Sequence, residues 1–276
     1  FIVNEPLIAN QHLPYVWGPD AQGTLFACGD TYRPGSVYQS KAYNPDSAPD
    51  TNNIELCNPS EPLQGGEILA GVSLVASSQR WWALYPSYNV VGVAAGAERR
   101  IQAAGQQYTP VERQVGRGLA APYAHCTDGT LIYFVARDGV WVTDGSAGRS
   151  LTDPKLYPLF PHEGVLGQDY TYGDLTIIAP DYSRAATFRL THNNGYLYFT
   201  YQGTDGIDHM LVYNVAKKAW SYDVTAAQIT VSGCVKSGPN DNTCAWGLQV
   251  LGDVTVSNIL NANVFYSNSD MRLKKN

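Results

Sequence analysis

Two apolar runs separated by a turn pair constrain this chain more than any other feature. In TLIYFVARDGVWVTDG (Thr130–Gly145), Leu131, Tyr133 and Val135 alternate with Ile132, Phe134 and Ala136, Arg137-Asp138-Gly139 follows, and then Val140-Trp141-Val142-Thr143. β-Branched and aromatic residues in period two suit a pleated strand. Asp-Gly suits a tight hairpin loop, because such turns need positive φ and glycine reaches it without a Cβ clash. Nearly every position is apolar, so both faces of the hairpin are expected to be covered. The spacing predicts Leu131–Ala136 pairing antiparallel with Val140–Thr143 across Arg137-Asp138-Gly139, with Trp141 largely buried.

The pattern recurs. Gly23–Ala42 reads as two strands around a turn, and Gly66–Ser87 as two more around Ser77-Ser78-Gln79. Asp174–Gln202 contains strand, turn, strand and then Asn193-Asn194-Gly195, and Tyr196–Val224 is a long hairpin across Gly203-Thr204-Asp205-Gly206. Hairpins start near 23, 66, 129, 173, 195 and 244, mostly at intervals of roughly 40 to 60 residues. Antiparallel units of that size describe a β-propeller or a sandwich. The expectation is all-β: a β-propeller of about five or six blades, incomplete if chain beyond this sequence closes a terminal blade. Residues 1–224 would form the blades, and 225–276 would add closing strands or a tail. Only Val91–Gln107 has helix-forming composition, and its glycines at 92 and 96 weaken it by about 1 kcal/mol each, so an extended loop is the equal alternative.

Composition narrows the function. Asp, Glu, Lys and Arg make up 15% of the chain, against roughly 25% in an ordinary domain. There are 19 Tyr and 6 Trp against 7 Phe. Such amphipathic rings suit packed surfaces that are partly wet or meet a partner. The net charge of −6 argues against wrapping nucleic acid, which needs a basic footprint, but not against a channel in which DNA slides. No apolar run is long enough for a membrane span. The opening Phe-Ile-Val-Asn, with neither Met nor a signal-peptide pattern, reads as a cut through a longer protein.

No constellation in the sequence carries chemistry. Cys28, Cys57, Cys126, Cys234 and Cys244 form no CxxC and no zinc spacing. Cys234 and Cys244 flank CVKSGPNDNTC and would be placed to pair if that loop is a hairpin; the alternative is small buried thiols in strands. The histidines at 12, 125, 162, 192 and 209 are scattered, with His162-Glu163 in a Pro/Gly-rich loop. Asp30, Asp46, Asp50, Asp128, Asp138, Asp144, Asp153, Asp169, Asp174, Asp181, Asp205 and Asp208 fall mainly in turn contexts, where Asp bonds its own backbone. No GxSxG, P-loop or GxGxxG occurs. TDGIDH (Thr204–His209) is too short for a calcium loop. The expectation is no enzyme, no cofactor and no metal. Trp81 and Trp82, on adjacent strand positions, must face opposite sides. One belongs to the core; the other is the candidate interface residue.

Four stretches are similar to a known family. GDTYRPGSVYQSKAYNPDSAPDTNNIEL (Gly29–Leu56) resembles the Gly-Asp…Pro-Gly…Tyr-x-Ser-Lys…Asn-Pro-Asp-Ser segment of virion proteins of short-tailed bacteriophages. SEPLQGGEILAGVSLVASSQRWWALYPS resembles the blade that follows it there, and GRGLAAPYAHCTDGTLIYFVARDGVWVTDG and YLYFTYQGTDGIDHMLVYNVAKKAWSYDV resemble two later blades, the second ending in Leu-Val-Tyr-Asn-x-x-x-Lys-x-Trp. The family is that of the phage tail-tube (nozzle) and packaged-DNA-stabilisation proteins. The resemblance covers Gly18 to Val224 and leaves out Thr225 to Asn276. It implies a β-propeller in a ring beneath the portal, with other copies of itself and other tail or portal proteins as partners and DNA passing without tight binding. It also implies location in the virion after assembly in the host cytoplasm, and no catalytic residues. Two rivals remain. One is a carbohydrate-binding or glycoside-hydrolysing β-propeller using Trp81, Trp82 or Trp141 as platforms and loop carboxylates such as Glu163, Asp169 and Asp174 as acids. The other is a bacterial surface scaffold.

Overall fold

The computed structural model describes residues 13–44, 48, 52–87, 107–224, 228–238, 241–249 and 265–267. Those residues are all-β, with helix limited to two short 3-10 segments at Tyr157–Leu159 and Tyr182–Thr187. Of the segment with helix-forming composition, 91–106 lies outside the described residues, and Gln107 begins a strand.

The chain divides into two compact units, one of residues 1–119 with 144–148 and the other of residues 120–143 with 149–276. The first unit holds two four-stranded antiparallel sheets. One consists of β1 (Tyr15–Trp17), β2 (Phe26–Cys28), β3 (Ser36–Gln39) and β4 (Asn53–Glu55), and the other of β5 (Leu63–Leu69), β6 (Val72–Ser77), β7 (Trp81–Ser87) and β8 (Gln107–Arg113). In each, every strand pairs with the next in sequence, which is the arrangement that short local turns produce. Between β5 and β6 the turn is made by Ala70-Gly71, at φ 50° and 79°, without the Asn-Gly or Asp-Gly pair that announces such turns in a sequence. The turn between β6 and β7 was expected at Ser77-Ser78-Gln79; it is closed by the Ser77 N–H donating to the Arg80 carbonyl at 2.9 Å.

The core of this unit gathers Trp17, Phe26, Cys28, Val37, Leu63, Val75, Trp82, Leu84 and Tyr108. Each large apolar side chain buried there contributes roughly 1.5–3 kcal/mol. Trp17 stacks on Phe26 at 5.9 Å between centroids, and Phe26 meets Tyr108 edge-on at 5.1 Å. The Trp17 indole N–H donates to Ser73 Oγ at 2.9 Å, so burying the ring leaves no donor unsatisfied. Gly66 makes the approach of Trp17 feasible, because a Cβ there would lie 2.5 Å from the indole and 2.5 Å from the Leu74 carbonyl.

The second unit contains β9 (His125–Thr127), β10 (Ile132–Ala136), β11 (Gly139–Thr143) and, but for its first residue, β12 (Gly148–Ser150) in one four-stranded sheet. A ribbon of β13 (Tyr170–Tyr172) and β14 (Leu175–Ile177) follows. Then come the four-stranded sheet β15 (Arg189–Asn193), β16 (Tyr196–Gln202), β17 (Asp208–Asn214) and β18 (Ala219–Val224), and a three-stranded sheet of β19 (Gln228–Gly238), β20 (Asp241–Gln249) and β21 (Phe265–Ser267). β15 and β16 meet across Asn194-Gly195, at φ 51° and 80°, the backbone a two-residue hairpin turn demands. Phe199 anchors an aromatic core, edge-on to Phe188 at 5.4 Å and stacked with Phe160 at 6.5 Å.

The β10–β11 hairpin forms with both strands covered: all five residues of β10 are buried, and all of β11 except Trp141. Its turn is tighter than expected. Ala136 pairs with Gly139, leaving only Arg137 and Asp138 in the loop. Gly139 therefore belongs to the strand, at φ 139°, and a Cβ there would lie 2.1 Å from Thr152 Oγ1. Trp141 is half-buried rather than largely buried, because its N–H reaches back to Asp138 Oδ1 at 3.0 Å and holds the ring at the edge of the turn.

Candidate functional site

The carboxylates were the residues from which chemistry was most to be expected, and the structure ties them to turns. Asp20, Asp30, Asp128, Asp144, Asp181 and Asp205 each accept the backbone N–H two residues ahead: Gln22, Tyr32, Thr130, Ser146, Ser183 and Ile207. This is the side-chain mimic of a turn that Asp makes by geometry. In three of them the second oxygen accepts a tyrosine hydroxyl, from Tyr108 to Asp20, Tyr38 to Asp30 and Tyr133 to Asp128. The surplus of tyrosine over phenylalanine thus has an internal use. A ring packs like phenylalanine while its hydroxyl locks a turn.

Burial opposes ionisation of Asp128, but the backbone N–H groups of Thr130 and Leu131 and the hydroxyls of Thr130 and Tyr133 outweigh it and hold its pKa below the usual range. Glu61, buried, behaves similarly. The Arg80 guanidinium donates to it through Nε at 3.0 Å and Nη2 at 2.8 Å, Ser77 donates its hydroxyl, and the carboxyl is held low chiefly by Arg80. This cluster closes the β6–β7 turn.

A polar cluster in the second unit surrounds His209 on β17, which is 2% exposed. Its Nε2 lies 3.0 and 3.2 Å from the two Asp205 oxygens, and its Nδ1 lies 2.7 Å from the Tyr222 hydroxyl. Asp205 can only accept, which places a ring proton on Nε2 and leaves Nδ1 to accept the Tyr222 phenolic proton, while the Ile178 N–H donates to that hydroxyl at 3.4 Å. Tyr201, its ring tilted against His209, donates to the Ile178 carbonyl at 2.8 Å. Burial raises the Tyr222 and Tyr201 phenols. Burial opposes ionisation of Asp205 too, but its bonds from His209 and the Ile207 N–H bring its pKa below the ordinary value. Both imidazole nitrogens are engaged, and this Asp–His–Tyr chain ties the 203–209 loop to β17 and β18. Sequence reasoning missed it; the only trace is the Asp205-x-x-x-His209 spacing within TDGIDH.

Of the remaining loop carboxylates, Asp174 and Glu163 sit on turns, whereas Asp169 bridges two other segments. Asp169 accepts the Ala179 N–H at 2.8 Å and the Thr204 hydroxyl at 3.3 Å. Asp174 is exposed in the turn of the β13–β14 ribbon, where Tyr172 pairs with Leu175. Glu163, at φ 49°, occupies the turn bridged by His162 and Val165. His162 is held by its Nδ1 at 2.9 Å from the Phe160 carbonyl and packs on Tyr157. Among the described residues, no group of three or more His, Cys, Asp or Glu is arranged to hold a metal ion. His12, Asp46 and Asp50 lie outside the described residues.

Trp81 and Trp82, expected to divide between core and interface, are both buried, at 1% and 5% exposure. Trp82 joins the core of the first unit. Neither presents its ring to solvent, because a sheet covered on both faces buries alternate positions alike.

These features define, over the described residues, an all-β protein of repeated antiparallel four-stranded meanders. No protein-family model and no curated protein matches the sequence. Among solved structures, the chain is similar to BBS1N crystallised in complex with ARL6DN, with 11% identity and a TM-score of 0.44 over 82% of this chain and 58% of that one. It is also similar to a putative exported protein of Bacteroides fragilis, with 8% identity and a TM-score of 0.41 over 86% and 66%. A third is PorZ, a surface component of the type-IX secretion system of Porphyromonas gingivalis, with 10% identity and a TM-score of 0.22 over 86% and 32%. The chain thus spans less than two thirds of the length of each.

Proposed function

We propose that this protein is a non-enzymatic structural component of a bacteriophage virion. In this reading it is a β-propeller that forms part of a ring-shaped tail tube or head-to-tail interface through which DNA passes. The observation that carries the reading is the repetition of the sheet. Among the described residues, four four-stranded meanders with one two-stranded and one three-stranded sheet support a count of five or six blades. The similarity of Gly18–Val224 to tail-tube and packaged-DNA-stabilisation proteins supplies the assignment to a virion. A propeller suits such a ring because rigid blades leave loops on two faces for contacts. Copies would join head to tail and close by rotation. A net charge of −6 would keep DNA from adhering to the lumen. The engagement of His209, Glu61 and the turn aspartates in internal bonds supports a scaffold rather than a hydrolase.

The test is electron microscopy and mass photometry of the full-length protein across a concentration series, with and without a portal protein, alongside a glycoside panel. Closed rings and no turnover are expected. A monomer under every condition, or turnover abolished by substituting Glu163, Asp169 or Asp174, overturns the reading in favour of a carbohydrate-active propeller.

A further inference from the structure

The five cysteines differ in where the fold puts them. Cys28 belongs to the core of the first unit, and Cys57 packs against that core. Burial pushes the Cys28 thiol up to about 12 and the Cys57 thiol up to about 11. Both therefore stay protonated near neutral pH, and a protonated thiol exchanges poorly. Cys126 lies on β9 with Tyr133 as its cross-strand partner. Cys234 and Cys244 are direct partners in the β19–β20 register.

That register is continuous around them. Val231, Ser232, Gly233, Cys234, Val235 and Lys236 pair in unbroken sequence with Gly247, Trp246, Ala245, Cys244, Thr243 and Asn242. Irregularities fall only on either side, between Ile229 and Val231 and between Lys236 and Gly238. Direct partners in an antiparallel pair share one face of the sheet, and a slip of one residue would end that. Cα atoms of such partners stand about 4.5 or 5.5 Å apart, depending on the pair type. Both values fall inside the span of roughly 4.4–6.8 Å that a disulfide bridges.

We propose that Cys234 and Cys244 form a cross-strand disulfide that clamps the β19–β20 hairpin once the protein meets an oxidised low-molecular-weight disulfide. Glutathione and thioredoxin keep thiols reduced in cytosol, so the clamp closes outside it. The thiolate of one cysteine attacks the small disulfide, forming a mixed disulfide and releasing one small thiolate. The second cysteine's thiolate then attacks the protein sulfur, the protein S–S bond forms, and a second small thiolate leaves. The two protons from the cysteines go to the two released thiolates. The small disulfide is reduced by two electrons and the cysteine pair is oxidised by two. The proposal is independent of the virion assignment and holds for any reading that takes the chain out of the cytosol.

The experiment treats the reduced full chain with oxidised glutathione in mildly alkaline buffer, blocks remaining thiols, and maps linkages by mass spectrometry without reduction. An intramolecular Cys234–Cys244 link is expected. Amide exchange across 234–244 should slow on the order of 10- to 100-fold relative to the reduced protein, the range that closing a loop of this length implies. Cys234→Ser should stop at a glutathione adduct on Cys244. Finding Cys234 and Cys244 still as thiols, as two separate glutathione adducts, or linked to Cys28 or Cys57 overturns the proposal. The wild-type map decides the matter even if the variant fails to fold.

Discussion

Tyr133 donates its phenolic proton to Oδ2 of Asp128 at 2.9 Å, while Oδ1 of the same carboxylate accepts the backbone N–H groups of Thr130 and Leu131. One carboxylate thus closes the turn before β10 and fixes it to a ring packed in the sheet. The same pairing joins Tyr38 to Asp30 over eight residues and Tyr108 to Asp20 over 88.

Replacing Tyr133 by Phe keeps the ring and removes only this bond. We expect a loss of about 1 kcal/mol, the net contribution of one hydrogen bond, kept modest because water can reach the carboxylate. Asp128→Ala removes the turn contacts as well and should cost about 2 kcal/mol. Urea unfolding of both variants and the double mutant checks this. A Tyr133→Phe midpoint equal to wild type would show that the turn does not use the hydroxyl.

Acid should weaken the fold in two steps. His192, packed on Tyr133 at 5.7 Å between ring centroids, has its pKa lowered from 6.5 by burial, with Asp128 opposing. A folded value below the unfolded one means the unfolded chain takes the proton first. This contribution is therefore intact above 6.5 and lost as pH falls through the lower, folded value. Asp128, Asp205 and Glu61 are also depressed, from 3.8, 3.8 and 4.5. Their contributions are intact above those values and are lost only on further acidification. Thermal midpoints recorded against pH should show both steps. His192→Gln should remove the upper one and leave the lower; an unchanged upper step would assign it elsewhere.

Two glycines separate backbone strain from steric overlap. Gly129, at φ 96°, has nothing within 4 Å of an added Cβ, whereas Gly139, at φ 139°, would place one 2.1 Å from Thr152 Oγ1. Gly129→Ala should cost about 1 kcal/mol, from φ alone. Gly139→Ala should cost about 2 kcal/mol or more, since Thr152 must also move. Equal losses in denaturant titrations would mean that Thr152 yields freely.

His209→Phe fills the same space but leaves Asp205 and Tyr222 without their shared partner. A loss of about 2 kcal/mol is expected, with oligomeric state unchanged in mass photometry. A variant as stable as wild type, but altered in assembly or in ligand binding, would move His209 from the scaffold to a working site.

The strands and most turns were legible because their causes are local. Alternation in IYFVA and GVWVT decides which residues form the pleat, and Asn194-Gly195 supplies positive φ within two residues. Asp-initiated turns are also read over two residues, which is why the aspartates could be assigned to them in advance. The rest depended on groups that meet only after the sheets form. Nothing near Trp17 marks Ser73 as the acceptor of its N–H, 56 residues on. Nothing in Trp81-Trp82 says that both faces of β7 will be covered. The His209 cluster needs Ile178, Tyr201, Asp205 and Tyr222 brought together from separate strands and loops. Strand formation follows from alternation and turn backbone over a few residues. Burial and polar pairing follow from which sheets pack together, and only the tertiary structure decides that.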